Sequence, residues 1–167
     1  DAIDLIILRE STEGLFYSAA ANKRETVAND SEVQDILRIT RPTSEKLFDF
    51  AFRLAEKRKA KGRKGMVTCV DKANVFRSMA FFRKIFDERK GSFPDIPASY
   101  NYVDAQALDL IRRPWDFDVL VMENMFGDIL SNEAAELSGG LGLAPSINAG
   151  DDMAIAQASH GAAPDIA

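Results

Sequence analysis

An α/β fold, with strands and helices alternating along the chain, is what this sequence predicts. Three observations carry the prediction. Short apolar runs rich in β-branched residues recur at 3–8, 66–70 and 117–122, each of strand length. Stretches between them repeat apolar residues at helical spacing. Polar side chains with chemical potential follow directly on the strands, where open α/β sheets place their ligands.

Residues 3–8, Ile-Asp-Leu-Ile-Ile-Leu, form the first expected strand. Residues 18–39 are polar and mixed, which suits an irregular arm or a hairpin. Thr40-Arg41-Pro42 then opens a helix, since proline is tolerated in a first turn. Leu47, Phe50, Ala51, Leu54 and Ala55 give that helix an apolar stripe. A basic run over 56–64 closes it, with Gly62 and Gly65 as stops. Residues 66–70 make a buried strand containing Cys69, which reads as a core residue. Residues 75–90 make a helix with Met79, Phe82 and Phe86 on one stripe and Phe81 beside them. A turn-rich loop over 91–97 leads to a strand at 100–103 and a short helix at 104–113. A strand at 117–122 and a helix at 126–137 follow, ended by Gly139-Gly140. The glycine-rich segment to Pro145 reads as an ordered loop.

The chain has 167 residues, 46% hydrophobic and 28% charged, enough for one globular domain with a real core. A net charge of −5 argues against non-specific nucleic-acid binding. The single cysteine cannot form an internal disulfide and points to a reducing, cytoplasmic setting. No apolar run approaches bilayer length and the first residues lack the form of a signal peptide, so no membrane association is expected. The chain begins at Asp1 directly before an apolar run and ends at Pro164-Asp165-Ile166-Ala167, which reads as a piece of a longer protein.

Several positions qualify as functional by pattern. Asp71-Lys72 follows the second strand, Asp104 follows the third, and Glu123-Asn124 precedes the Phe126-Gly127-Asp128 helix start. Asp104 and Asp128 meeting in one cleft would suit Mg²⁺ or Mn²⁺, and Asn132, four residues on, could add an amide oxygen. Helix capping explains the same carboxylates equally simply. It is the stronger reading for Asp104, and the two readings balance for Asp128. Lys72 after a strand is more often solvated than catalytic, and a lone histidine, His160, is more often structural. One Cys and one His exclude a zinc spacing, and no dinucleotide-binding glycine fingerprint follows a strand.

Five stretches taken together go further. Leu8-Arg9-Glu10-Ser11-Thr12-Glu13-Gly14, Asp71-Lys72-Ala73-Asn74-Val75, Tyr102-Val103-Asp104-Ala105, Asn124-Met125-Phe126-Gly127-Asp128-Ile129-Leu130-Ser131 and His160-Gly161-Ala162-Ala163-Pro164-Asp165 stand in one order along the chain. In order and spacing they resemble the isocitrate/isopropylmalate dehydrogenase family, the metal-dependent β-decarboxylating dehydrogenases. The resemblance implies that family's smaller, dimer-forming domain over 1–138, and at 139–167 the start of a return to the larger nucleotide-side domain. It implies NAD- and Mg²⁺/Mn²⁺-dependent oxidative decarboxylation of a 3-substituted malate-type 2-hydroxy acid, such as 3-isopropylmalate, tartrate or D-malate. It also implies a homodimer with composite active sites, and inactivity of this piece alone.

By the same resemblance Arg9 grips a substrate carboxylate, Lys72 is the catalytic lysine, and Asp104 and Asp128 bind the metal. Asn74 lies near the nicotinamide. His160, Gly161, Asp165 and Ile166 contact the adenosine part, with Asp165 favouring NAD over NADP because a carboxylate repels a 2′-phosphate. Two positions depart from the family pattern. Phe16 stands where a tyrosine usually supplies a proton to the enol, with Tyr17 next to it. Asn132 stands where an aspartate is common, which removes one charge from the metal set. These departures leave open a catalytically weakened or regulatory subunit, or a dimerisation module.

Overall fold

The computed structural model describes residues 3–20 and 27–158. Its elements run β1 (Ile6–Arg9), α1 (Tyr17–Ala20), β2 (Val27–Ala28), β3 (Val33–Gln34), α2 (Arg41–Ala60), β4 (Val67–Asp71) and α3 (Arg77–Lys90). They continue as β5 (Ala98–Tyr102), α4 (Val103–Arg112), β6 (Val119–Met122), α5 (Asn124–Leu137), β7 (Pro145–Ala149) and β8 (Ala154–Ala158). The α/β class predicted from the sequence is the one observed.

Four strands form one parallel sheet in the order β1-β6-β4-β5. The two central strands, β4 and β6, are buried at every position. A central parallel strand is covered on both faces, so its sequence is a continuous apolar run. Successive side chains in β6 therefore serve opposite faces. Val119 and Val121 join Val67 and Cys69 beneath α2 and α3, whose Phe48, Phe52, Phe82, Ile85 and Phe86 fill that side. Leu120 and Met122 join Val70 on the other face, against Leu110 of α4 and Phe126 and Leu130 of α5. The aromatic rings interlock: Phe48 lies 4.6 Å from Phe82, and Phe52 stacks on Phe86 at 5.4 Å and on Phe93 at 5.0 Å. Burial pushes the Cys69 thiol up, as befits a core residue with no part in chemistry.

Several boundaries and faces differ from the sequence reading. The stripe of α2 is carried by Phe48, Ala51, Phe52 and Ala55, while Phe50 is 45% exposed on the outer side. Spacing alone offers two overlapping stripes here, and packing selects the one that faces the sheet. Helix α3 starts at Arg77, not at 75, because residues 72–76 form a turn in which Val75 and Phe76 donate to the Lys72 carbonyl. Val103 opens α4 instead of ending β5, which places Asp104 in the helix's first turn. Helix α5 begins at Asn124, two residues earlier than expected, because the Glu123 side chain caps it. The polar arm contains the short hairpin β2–β3, turned by Asn29. Beyond the glycine-rich loop lies the antiparallel hairpin β7–β8, which the sequence pattern did not suggest. Among the described residues no helix is long and apolar enough to cross a membrane.

Replacing buried Phe86 by alanine should cost about 3–5 kcal/mol, whereas Phe50→Ala should stay within about 0.5 kcal/mol. Urea unfolding of the two variants checks this assignment of the α2 face.

Candidate functional site

Because β1, β4, β5 and β6 are parallel, their carboxyl ends share one edge of the sheet. Arg9 ends β1 opposite Met122 of β6, and Asp71 ends β4 opposite Tyr102 of β5. Arg9 stands at that edge, and Lys72, Asp104, Glu123 and Asn124 follow from it; the last four are the strand-end positions singled out in the sequence.

At one end of the edge, Arg9 is fixed by its neighbours. Its Nε and Nη2 donate to Asn124 Oδ1 at 2.8 and 2.6 Å, and Nη1 pairs with the Asp128 carboxylate. Asn124 Nδ2 in turn donates to the Glu13 carbonyl at 3.0 Å. This closeness of β1 and α5 depends on Gly127, where an added Cβ would stand 2.6 Å from Arg9 Cβ and Cγ. The Arg9 guanidinium also lies 5.4 Å from the Phe16 ring, so the phenylalanine flanks the arginine. Tyr17 turns away, its ring 4.7 Å from the Arg38 guanidinium. The segment enters α1 here, so the phenol does not replace the missing hydroxyl of Phe16 at Arg9.

Three acids hold the loop after β1. Glu10 accepts from the Thr12 and Glu13 backbone N–H groups at 2.7 and 2.6 Å. Glu13 accepts from the Thr40 N–H at 2.8 Å and its hydroxyl at 2.6 Å, joining the loop to the start of α2. Glu123, fully buried, accepts from the Phe126 N–H at 2.8 Å through one oxygen, while the other has no partner among the described residues. Burial pushes the Glu123 carboxyl up, opposed by backbone donors of α5. Gly14, at φ 74°, passes over that carboxyl so closely that a Cβ would sit 2.3 Å from Oε2.

At the other end of the edge, Lys72 pairs with Asp104. Lys72 is largely covered, whereas the Asp104 side chain is 68% exposed. The Lys72 ammonium, followed by backbone donors of the α4 first turn, holds the Asp104 carboxyl below its ordinary value. Asp71, completely buried, accepts from Arg83 Nε and Nη2 at 2.7 Å each and from the Ala73 N–H at 2.8 Å.

Asp104 and Asp128 thus lie on the same edge but in separate groups, each paired with a different cation. Among the described residues, no three His, Cys, Asp or Glu side chains gather as a metal ion would require. Asn132 is exposed, one turn beyond Asp128, and Asn74 is exposed in the turn after Lys72. His160, Gly161, Asp165 and Ile166 lie outside the described residues. Pattern reasoning marked Glu123 and Asn124 by their place at a strand end but gave neither a role. It missed Arg83, which sits inside a helical stripe and carries no signal of its own.

The parallel sheet with helices on both faces, its polar residues gathered at the carboxyl edge, defines an open α/β domain, an architecture whose ligands characteristically bind beyond the carboxyl ends of the strands. The family model described as isocitrate/isopropylmalate dehydrogenase matches residues 1–167, and the chain belongs to that family. It is 45% identical, over 99% of its own length, to 3-isopropylmalate/3-methylmalate dehydrogenase of Methanocaldococcus jannaschii, covering 48% of that protein. To homoisocitrate dehydrogenase of the same organism it is 46% identical over 99% of this chain and 45% of the relative. Among solved structures, isocitrate dehydrogenase from Methylococcus capsulatus superposes with a TM-score of 0.84 at 41% identity, covering 98% of this chain and 47% of the other. TT0538 protein from Thermus thermophilus gives 0.86 at 38% identity, covering 99% and 32%. The chain spans under half the length of these relatives.

Glu123 links this site to pH. Its folded-state pKa is raised above the ordinary 4.5, so its contribution to stability is complete below that value and is lost as pH rises through the folded pKa. Glu123→Gln should remove this component. Urea unfolding of wild type and variant across that window should show the gap between them shifting in the variant's favour as pH rises.

Proposed function

We propose that this chain contributes the substrate-gripping, proton-handling and metal-binding parts of an NAD-dependent dehydrogenase that oxidatively decarboxylates a 3-substituted malate-type 2-hydroxy acid. The observation that carries the proposal is Arg9, locked by Asn124 and Asp128 at the carboxyl edge of the sheet. A guanidinium so oriented suits a two-pronged grip on a substrate carboxylate. The names of the relatives supply the substrate class: 3-isopropylmalate, 3-methylmalate and homoisocitrate.

Brought together across two copies of the chain, the oxygen donors suit a hard divalent cation. Asp128 and Asn132 offer oxygens one helical turn apart, and Asp104 offers a third that is exposed. Bound Mg²⁺ or Mn²⁺ would supply Lewis-acid polarisation of the reacting oxygen, and bound NAD would accept the hydride. In this reading Lys72 takes the hydroxyl proton while Arg9 grips a substrate carboxylate.

The separation of the Lys72–Asp104 pair from the Arg9–Asp128 group supports a homodimer in which each active site takes one group from either copy. The exposed apolar residues Leu108 and Ile111 on α4 and Ile129 on α5 give the paired helices a face suited to a second copy. The position of Phe16 favours a second reading, a catalytically weakened or regulatory subunit. It flanks Arg9 with no proton to give, and Tyr17 is engaged elsewhere.

NADH formation by the full-length protein with Mn²⁺ separates the two readings. Turnover is expected with at least one of 3-isopropylmalate, homoisocitrate, D-malate or tartrate. A folded protein silent on all four and on isocitrate would point to the regulatory subunit.

Composite sites have their own signature. Lys72→Met and Asp128→Ala homodimers should each be inactive. Subunits mixed at random should recover about one quarter of wild-type activity, since half of the dimers then carry one intact site. Absence of recovery in verified mixed dimers would place both groups in one subunit's site.

A further inference from the structure

The last ladder pair between β4 and β5 is Asp71 opposite Tyr102. Beyond it the two chains part. Lys72 enters a turn and Val103 enters α4, so no backbone pairing fixes the position of Lys72 relative to Asp104. Within the single chain their ion pair is too exposed to do this alone, because Asp104 is there largely open to water, where such a pair is worth little.

Arg83 spans the gap. From α3 its Nε and Nη2 grip both oxygens of Asp71, the residue before Lys72, at 2.7 Å each. The same guanidinium lies 4.3 Å from the Tyr100 ring and 5.0 Å from the Tyr102 ring, the two same-face aromatics that lead into Asp104. Asp71 also accepts from the Ala73 N–H at 2.8 Å, which bends the chain around Lys72. Asp71 is completely buried and the Arg83 side chain is 20% exposed, so this contact is shielded from solvent as the Lys72–Asp104 pair is not.

We propose that Arg83 is a positioning residue for the Lys72–Asp104 pair. One planar group clamps the end of β4 through Asp71 and the end of β5 through Tyr100 and Tyr102, and so sets the spacing of the two side chains that extend past them. Lysine cannot do both tasks, since it lacks the flat fork that binds two oxygens while stacking on a ring. The catalytic consequence rests on the role of Lys72 proposed above, whereas the clamp itself does not.

The test uses the full-length protein. Arg83→Met alone would leave Asp71 buried without a partner and risks misfolding, so Arg83→Lys and the double variant Asp71→Asn/Arg83→Met are compared with wild type. Both should lower kcat about ten-fold or more while KM for the hydroxy acid, which Arg9 grips, stays within about two-fold. Hydrogen exchange read by mass spectrometry should be several-fold faster in both variants over residues 72–74 and 103–105 together, with α5 peptides unchanged. Exchange that quickens in only one of the two loops, or in neither, would overturn the clamp. Loop exchange that quickens while kcat stays within two-fold would overturn its catalytic consequence. If wild type turns over no substrate, the exchange result still decides the clamp, and the fault lies with the dehydrogenase reading.

Discussion

Parallel pairing of β6 between β1 and β4 dictates where every polar group of the site can go. The register sets Arg9 beside Met122 and Met122 beside Val70. It is pinned beyond the strands at both ends. At the carboxyl end the Glu10 N–H donates to the Met122 carbonyl at 3.1 Å. At the opposite end the buried carboxylate of Asp118 pairs with Arg58 and accepts from the Gly65 N–H at 2.6 Å. A one-residue slip of β6 would turn Val119 and Val121 toward α5, and the same slip of β1 would carry Arg9 to the other face. The core and the site therefore share one register, and an error in either would disrupt both.

Close approach follows from this arrangement. To reach Arg9 with Asn124 and Asp128, α5 must lie almost against β1, and only glycine at 127 leaves room. Its first turn must also start directly after β6, and the Glu123 side chain makes that possible by accepting from the Phe126 N–H. The cost is a carboxyl buried with one oxygen unpartnered among the described residues. Burial pushes its pKa up, and that shift is the expression of the cost, since the charged form loses most on leaving water. Gly14 shields the same group with a backbone turn that a side chain could not occupy.

Much of this was legible in the sequence, and what was not has a physical cause. Buried parallel strands announce themselves as unbroken apolar runs, so β4 and β6 were plain. Positions after strands pointed to Lys72, Asp104 and Asn124, because topology alone brings strand ends together. The α2 face was misread at Phe50 because two apolar stripes overlap there, and only contact with the sheet chooses between them. The β7–β8 hairpin was missed because its side chains are almost all exposed, which leaves little burial to print a pattern. Arg83 was invisible because its pairing with Asp71 depends on how α3 lies against β4. Spacing suggested Asp104 and Asp128 in one cleft, whereas within the chain each is tied to its own cation, because the strands they follow lie at different places along the edge.

That division bears on what Arg9 can still do. A guanidinium carries five N–H donors. Arg9 commits Nε and one each from Nη1 and Nη2 to Asn124 and Asp128, which leaves a donor on each terminal nitrogen. Under the proposed function these two remaining donors are what a substrate carboxylate would meet. The contacts to Arg9 thus aim it: Asn124 fixes the plane of the group, and Asp128 balances its charge. Lys72 differs in kind. An ammonium is a compact point charge on a flexible stem, and its direction has to come from its surroundings. Around Lys72 those surroundings are Asp104 and the turn held by Asp71 and Arg83. Arg9 is aimed by contacts made directly to its own guanidinium, whereas Lys72 meets Asp104 and takes the rest of its placement from the Asp71–Arg83 contact beside it.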